Sequence, residues 1–279
     1  MRLIVDTHGH LYPRHDPRKT LQGARDRLEA LAHSSGAEEY RLILCLLDRA
    51  DESAFSALRA RCALDGLSVD GCPADSEALR VRFSSGSDLW ICSGRQVATA
   101  ERLEVLALGQ RPSCPDGLSL QNTLHLLRKG PAAAMVLPWA FGKWVGRRGR
   151  KIQQVLHTET PDTLLLGDSS LRPLGLPDRL LTIGRTRGYR IVAGTDPLPP
   201  SGEESMAGSF ATCLDGDWDD LRPSASLVRL LMDPQVVLTH AGRRSTPWTV
   251  ARRLIRAARR PLSHPVSQPP DAAPHGDPV

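Results

Sequence analysis

The sequence predicts an α/β fold, a (β/α)7-8 TIM-like barrel that can be distorted, formed by one domain over residues 1–260. Short β-branched or leucine-rich runs alternate with longer stretches of helical period, the pattern of βα units around a parallel sheet. The length of 279 residues suits such a barrel, which usually needs about 250. The first hydrophobic run also ends in a cluster of metal-ligating residue types, where a barrel places its chemistry.

Strands are expected at 3–6, 42–47, 89–92, 103–108, 133–137, 163–166, 189–193, 210–213 and 236–239. Helices are expected at 18–32, 52–62, 119–129, 144–156, 178–187, 224–232 and 246–259. Within 119–129, Leu120, Thr123, Leu124 and Leu127 share one face, Ser119 or Leu118 opens the helix, and Gly130 closes it. Residues 66–87 are the least legible and hold either an extra strand at 79–83 or a substrate-side loop. From Pro261 to the end the chain is rich in Pro, Ser and Ala and reads as a disordered tail, 261–279.

A hydrophobic fraction of 41% and a charged fraction of 24% exclude a chain disordered as a whole. Aromatics make up 4%, so the core must come from Leu, Val, Ile and Ala. Most of the net charge of +5 lies in Arg147-Arg148-Gly149-Arg150-Lys151 and in residues 252–260, runs that read as exposed helix faces before a nucleic-acid surface. The six cysteines form no Cys-x-x-Cys pair, and Cys45 and Cys92 sit inside apolar runs, so neither a disulfide framework nor a zinc knuckle is expected. The start Met1-Arg2-Leu3-Ile4-Val5-Asp6 lacks signal-peptide architecture, and the longest apolar stretch, 132–141, is too short for a bilayer and carries Pro138. A cytoplasmic protein without membrane contact is expected, its oligomeric state open.

The first strand runs into Asp6-Thr7-His8-Gly9-His10-Leu11. Side chains alternate along a strand, so His8 and His10 point the same way and can share one divalent cation; by the same count Asp6 lies on that face and would orient a ligating imidazole. Ile191-Val192-Ala193-Gly194-Thr195-Asp196-Pro197 again ends a strand in a carboxylate, which can join the metal or accept a proton. Two other strands lead into candidate site loops. Pro138-Trp139-Ala140-Phe141-Gly142-Lys143-Trp144 combines a cation with two indoles, suited either to an anionic or ring-bearing ligand or to a Trp-anchored helix start. Gly167-Asp168-Ser169-Ser170-Leu171-Arg172 offers Asp168 as ligand or base and Arg172 as an anion fork, or else an internal Asp168–Arg172 ion pair. His125 and His157 read as structural or exposed, and His240, closing an apolar run, is a weaker ligand candidate.

The Asp-x-His-x-His start and the late Gly-Thr-Asp resemble the metal-dependent hydrolases of the PHP (polymerase and histidinol phosphatase) and amidohydrolase type. Ser93-Gly94-Arg95-Gln96-Val97 with residues 103–109, and the stretch 119–141, look like the middle of a PHP domain, so that the resemblance spans about residues 1–245. The resemblance implies a barrel, a divalent cofactor and a hydrolytic activity. The pattern is incomplete: Gln96 stands where a Glu would bind, Leu137-Pro138-Trp139 replaces a His-Pro, Asp48 lacks a following His, and Pro197-Leu198 replaces a final Ala-His. This set does not support a trinuclear site and leaves a single-metal site or none.

The expectation is therefore a metal-dependent hydrolase of a phosphoester or other small anionic substrate. His8, His10 and Asp196 would hold Zn, Mn or Fe; Asp196 or Asp168 would move the proton; Lys143 and Arg172 would bind the anionic group. The alternative is a catalytically degenerate barrel that binds a ligand or partner through Trp139, Lys143, Trp144 and Arg172.

Overall fold

A computed structural model describes residues 1–64 and 66–259; the Pro-rich segment expected at 261–279 lies outside them. Strand β1 (Arg2–Gly9) forms at once and is buried along nearly its whole length. Helix α1 (Pro17–Ser34) starts where Asp16 accepts from the Lys19 backbone N–H and Pro17 needs no donor of its own. Then come β2 (Tyr40–Asp48) and α2 (Ala54–Arg61), the short β3 (Ala63–Leu64), and a hairpin of β4 (Leu67–Cys72) and β5 (Asp75–Arg82). The next part of the chain holds β6 (Leu89–Ala98), β7 (Glu104–Leu108), α3 (Leu120–Lys129), β8 (Ala134–Pro138), α4 (Gly146–Thr158), β9 (Leu165–Ser169), α5 (Arg179–Thr186) and β10 (Ile191–Gly194). The described chain ends with β11 (Phe210–Asp215), α6 (Pro223–Met232), β12 (Thr239–Gly242) and α7 (Pro247–Arg259).

The main path of the sheet runs β10-β9-β8-β7-β6-β2-β1-β11-β12 and curls into a nearly closed barrel. It is mixed, which corrects the expectation of an all-parallel barrel. Strands β1, β2, β6, β8, β9 and β10 run together, while β7 and β11 run against them. β6 is long enough for its second edge to be shared: β5 pairs with its first half and β7 with its second. Of the two alternatives for 66–87, the extra strand at 79–83 falls in β5, which forms a hairpin with β4. The apolar run 236–239 is not a strand; β12 begins at Thr239, with Val237 mostly exposed.

β10 has no backbone ladder on its outer edge, and two threonine side chains together with one loop backbone bond close the barrel there. Ala193 N–H donates to Thr212 Oγ1 (2.7 Å), Thr7 Oγ1 donates to the Ala193 carbonyl (3.0 Å), and Asp196 N–H donates to the His8 carbonyl (2.7 Å). Each replaces a ladder bond that a buried backbone group would otherwise lack. Inside the barrel lie Leu3, Val5, Ile43, Cys45, Leu47, Trp90, Cys92, Leu106, Leu108, Val136, Leu165 and Val192, stoppered by Leu227, Leu230 and Leu231 of α6. All six cysteines are free thiols. Among the described residues, no helix is long and apolar enough to cross a membrane.

Candidate metal centre

The C-terminal ends of six parallel strands form one rim, the position at which barrel proteins place their functional groups. His8 and His10 stand at the end of β1, Asp48 at the end of β2, Gln96 near the end of β6, Asp168 near the end of β9 and Asp196 just past β10.

A β-bulge decides which way the histidines face. Ile4 packs outward toward α1, whereas Leu3 and Val5 face the barrel interior. By simple alternation Asp6 and His8 would both follow Ile4 outward. The pairing of β1 with β2 slips by one residue between Asp6 and Gly9, and such a slip exchanges the faces of all that follows. His8 and His10 consequently meet Gln96, which follows Trp90 and Cys92 inward on β6.

Asp6 therefore does not orient an imidazole ring, contrary to the sequence-based expectation. Its fully buried carboxylate accepts from three backbone N–H groups, those of His8 (3.1 Å), Thr195 (2.8 Å) and Gly208 (2.9 Å), and so ties β1 to the loop that carries Asp196. Burial raises its pKa, and the three donors pull in the opposite direction.

Ligand atoms of His8, His10 and Asp196 lie within 4.8 Å of one another. His8 Nε2 is 3.6 Å from Asp196 Oδ1, and both His8 Nε2 and His10 Nε2 are 3.1 Å from Gln96 Oε1. Gln96, which the sequence presents as a lost ligand, sits at the centre of the cluster. The ring of Tyr12 lies on His10 with centroids 5.2 Å apart; it continues the alternation after His8 and His10, a signal that sequence reasoning missed. Burial, then Asp196, raises the Tyr12 pKa well above its ordinary value, so it is a neutral phenol.

His10 carries the clearest electronic assignment. Its Nδ1 is 2.9 Å from the Leu47 carbonyl, which can only accept, so Nδ1 bears the proton. Burial, then His8, lowers its pKa to about 3 and keeps the ring neutral. Nε2 then presents a lone pair toward Gln96 Oε1, itself an acceptor. Either the amide turns its NH2 inward, or a cation satisfies the converging lone pairs of His10 and Gln96 beside the Asp196 carboxylate. The donor set of two imidazoles, a carboxylate and an amide oxygen fits a borderline divalent ion. His8 and His10 are buried, and the side chain of Asp196 is 16% exposed, so solvent reaches the cluster from the Asp196 side.

Asp196 itself has φ 53°, a left-handed conformation in which Asp is tolerated at some cost. It is held there by its N–H bond to His8 and by Arg253 of α7, whose Nη2 donates to the Asp196 carbonyl at 3.3 Å. Arg253 is 4% exposed, pairs with buried Glu203 through Nε (2.9 Å) and Nη2 (2.7 Å), and donates from Nη1 to Ser170 Oγ (3.1 Å). One member of the basic run 252–260 is thus an internal clasp, while Arg252, Arg256 and Arg259 are exposed.

The other expected catalytic groups are engaged elsewhere. Asp168 and Arg172 form a buried ion pair with each other, with Arg172 Nε 2.7 Å from Asp168 Oδ1 and Nη1 donating to the Leu176 carbonyl. Lys143 pairs with Glu104 at 2.6 Å. Trp139 and Trp144 are buried in the core, their indole N–H groups donating to Asp178 and to the Pro138 carbonyl, so they anchor the start of α4 and do not form a recognition surface. His240 lies outside the cluster, with Nε2 3.1 Å from the Ile191 carbonyl. Asp48 accepts from the N–H groups of Ala54 and Phe55 and caps α2.

No protein-family profile and no curated protein matches the sequence. Among solved structures the chain is similar to PsfC from Pseudomonas syringae PB-5123, with a TM-score of 0.58 and 16% identity over 93% of this chain and 99% of that one. At that identity the likeness speaks for a shared fold along almost the whole chain.

Proposed function

We propose that this protein is a metal-dependent hydrolase of the PHP or amidohydrolase type, acting on a small anionic substrate such as a phosphoester at a single divalent ion, Zn, Mn or Fe. The observation that carries this reading is the convergence of His8, His10 and Asp196 within 4.8 Å at one rim, with Gln96 Oε1 facing both imidazoles. A divalent ion held there would polarise the scissile bond and lower the pKa of the attacking water. His10 is fixed by Leu47 in the tautomer that offers Nε2. Asp196, the candidate ligand open to solvent, would take the proton of the attacking water and release it toward the leaving group. Tyr12 covers His10 and limits access of bulk water to that side.

The test is elemental analysis of the purified protein and of a His8→Ala/His10→Ala variant, followed by assay against phosphomonoesters, phosphodiesters and cyclic amides. Close to one equivalent of metal, lost in the variant together with turnover, supports the reading. Equal metal content in both proteins refutes it.

One set of observations favours a second reading, a barrel that binds a ligand or partner without turning it over. Asp168, Arg172 and Lys143 are all held in internal pairs, which leaves the expected second acid and both expected anion-binding cations engaged. Stoichiometric metal without hydrolysis across the panel would support that alternative.

A further inference from the structure

Away from the metal cluster, the loop after β9, helix α5 and strand β12 enclose a cleft of about 490 Å³ that shares no residue with His8, His10 or Asp196. Arg172, Arg185, Arg243 and Arg244 line it together with His240. Two carboxylates also reach it, and both are occupied. Asp168 is held by Arg172, and Asp178 caps α5 through the N–H groups of Leu180 (2.8 Å) and Leu181 (3.0 Å) while accepting from Trp139. Among the described residues, the Arg244 side chain donates only to backbone carbonyls, those of Pro173 and Leu176, at 3.5 and 3.4 Å. The guanidinium groups of Arg185 and Arg243 make no hydrogen bond or ion pair with another described residue.

Positive charge is therefore left over in this half-open cleft. Burial, then the proximity of Arg172, lowers the pKa of Arg244, the direction expected where cations crowd without enough anions. The same cleft has apolar walls: Leu174 and Leu176 are 51% and 43% exposed beside the arginines. Exposed leucines next to unpaired guanidinium forks suit a ligand with an anionic head and an apolar body. The volume is that of a small-molecule site, and the arginines sit on the loop after β9, on helix α5 and on the loop after β12 rather than along a track that a polymer could follow.

We propose that this cleft binds a small phosphorylated organic molecule, the phosphate held by Arg185, Arg243 and Arg244 and the apolar part resting on Leu174 and Leu176. A phosphate dianion matches the uncompensated cations better than a monoanion and accepts several guanidinium bonds at once. The site is independent of the hydrolase reading.

The experiment is calorimetric titration of the full chain, kept metal-free with a chelator so that the His8 cluster cannot contribute, using phenyl phosphate and inorganic phosphate as probes. Arg185→Gln/Arg243→Gln should leave the melting curve unchanged, because neither guanidinium holds the fold together, and should weaken phenyl phosphate by at least about tenfold, the scale of losing charge-assisted hydrogen bonds. Leu174→Ser/Leu176→Ser should weaken phenyl phosphate and leave inorganic phosphate unaffected. Equal affinity of the arginine variant and the parent, or no heat from either probe into the millimolar range, overturns the proposal. So does tighter, salt-sensitive binding of a duplex oligonucleotide that the arginine variant loses, since that outcome assigns the charge to a polymer.

Discussion

Gly194 lies directly against the backbone of His8: a β-carbon built on Gly194 would stand 2.5 Å from both the His8 nitrogen and the His8 Cβ. That approach lets the last parallel strand close on the first and brings Asp196 to the imidazoles. The backbone of His8 is pinned by Asp6 and by the Asp196 N–H, so it has little freedom to yield. Gly194→Ala should cost about 1–3 kcal/mol, the usual range for overpacking a fixed site, and lower Tm by several degrees. Because the strain falls between the two strands that carry the candidate ligands, metal affinity should fall further than for a glycine substitution elsewhere in the sheet. Thermal melts with and without added Zn check this; an alanine variant with parent-like stability and metal uptake would show that β10 can move away freely.

Gln96 offers a second test, because it faces both imidazoles with a neutral oxygen. Gln96→Glu would place a carboxylate among His8, His10 and Asp196 and should tighten divalent metal binding. The same change should destabilise the metal-free protein, because a buried carboxylate beside Asp196 raises like-charge repulsion and loses hydration. Gln96→Leu should weaken metal binding with a smaller effect on stability. Titration with a chromogenic chelator as competitor measures both; identical metal affinities in all three proteins would remove Gln96 from the coordination sphere.

The contrast between Gln96 and His8 shows where sequence reasoning works and where it stops. A His-x-His pair ending the first hydrophobic strand is legible because strand placement and ligand chemistry coincide, and the late Gly-Thr-Asp is legible for the same reason. Most βα alternation was visible from hydrophobic periodicity. Residue type alone presents Gln96 as a lost ligand, and it takes the fold to show its Oε1 facing both imidazoles. Alternation puts Asp6 on the face of the imidazoles, but a one-residue bulge, invisible in an alternating pattern, reverses every face after it. The antiparallel direction of β7 and β11 was equally hidden, since a short apolar run carries no direction. The Trp139 and Trp144 indoles were ambiguous because their apolar bodies suit a core as well as a ligand.

Arg253 should act as a positioning residue for Asp196. Its fork joins Glu203, Ser170 and the Asp196 carbonyl in a buried network, and Ser170 Oγ in turn donates to the Thr195 carbonyl at 2.5 Å. Arg253→Met leaves the buried Glu203 carboxylate with the Leu198 N–H but without its counter-charge, which typically costs about 3–5 kcal/mol. Adding Glu203→Gln removes the orphaned charge and should recover much of that stability. Metal affinity should stay reduced in the double variant, because the clasp on Asp196 is still missing. Recovery of metal affinity in step with stability would mean that α7 supports the fold without positioning the ligand. Asp196→Gly complements this test: it relieves the left-handed backbone and removes the carboxylate, so metal binding should be lost without a matching loss of stability.

The buried neutral His10 gives the metal-free protein a characteristic acid limb. Burial, then His8, holds its pKa near about 3, below the value of about 6.5 for a free histidine. Between those values the unfolded chain binds a proton that the folded chain refuses. The stability is therefore complete above about pH 6.5 and declines as the pH falls, by up to about 1.4 kcal/mol per pH unit for this one group. Burial also lowers His15 and His240, which adds to the decline. Asp6, Asp48 and Glu52 work in the opposite sense: burial raises their pKa values, so acid relieves the cost of keeping them ionised in the fold. The net slope is shared among these groups, and a variant isolates the His10 part. His10→Asn keeps an N–H for the Leu47 carbonyl but cannot titrate. Urea unfolding of chelator-treated protein at pH 7 and pH 5 should show the variant losing about 2 kcal/mol less than the parent over that interval. Parallel losses in the two proteins would mean that His10 is protonated in the folded state at pH 5. Its Nε2 would then offer no lone pair to a cation there.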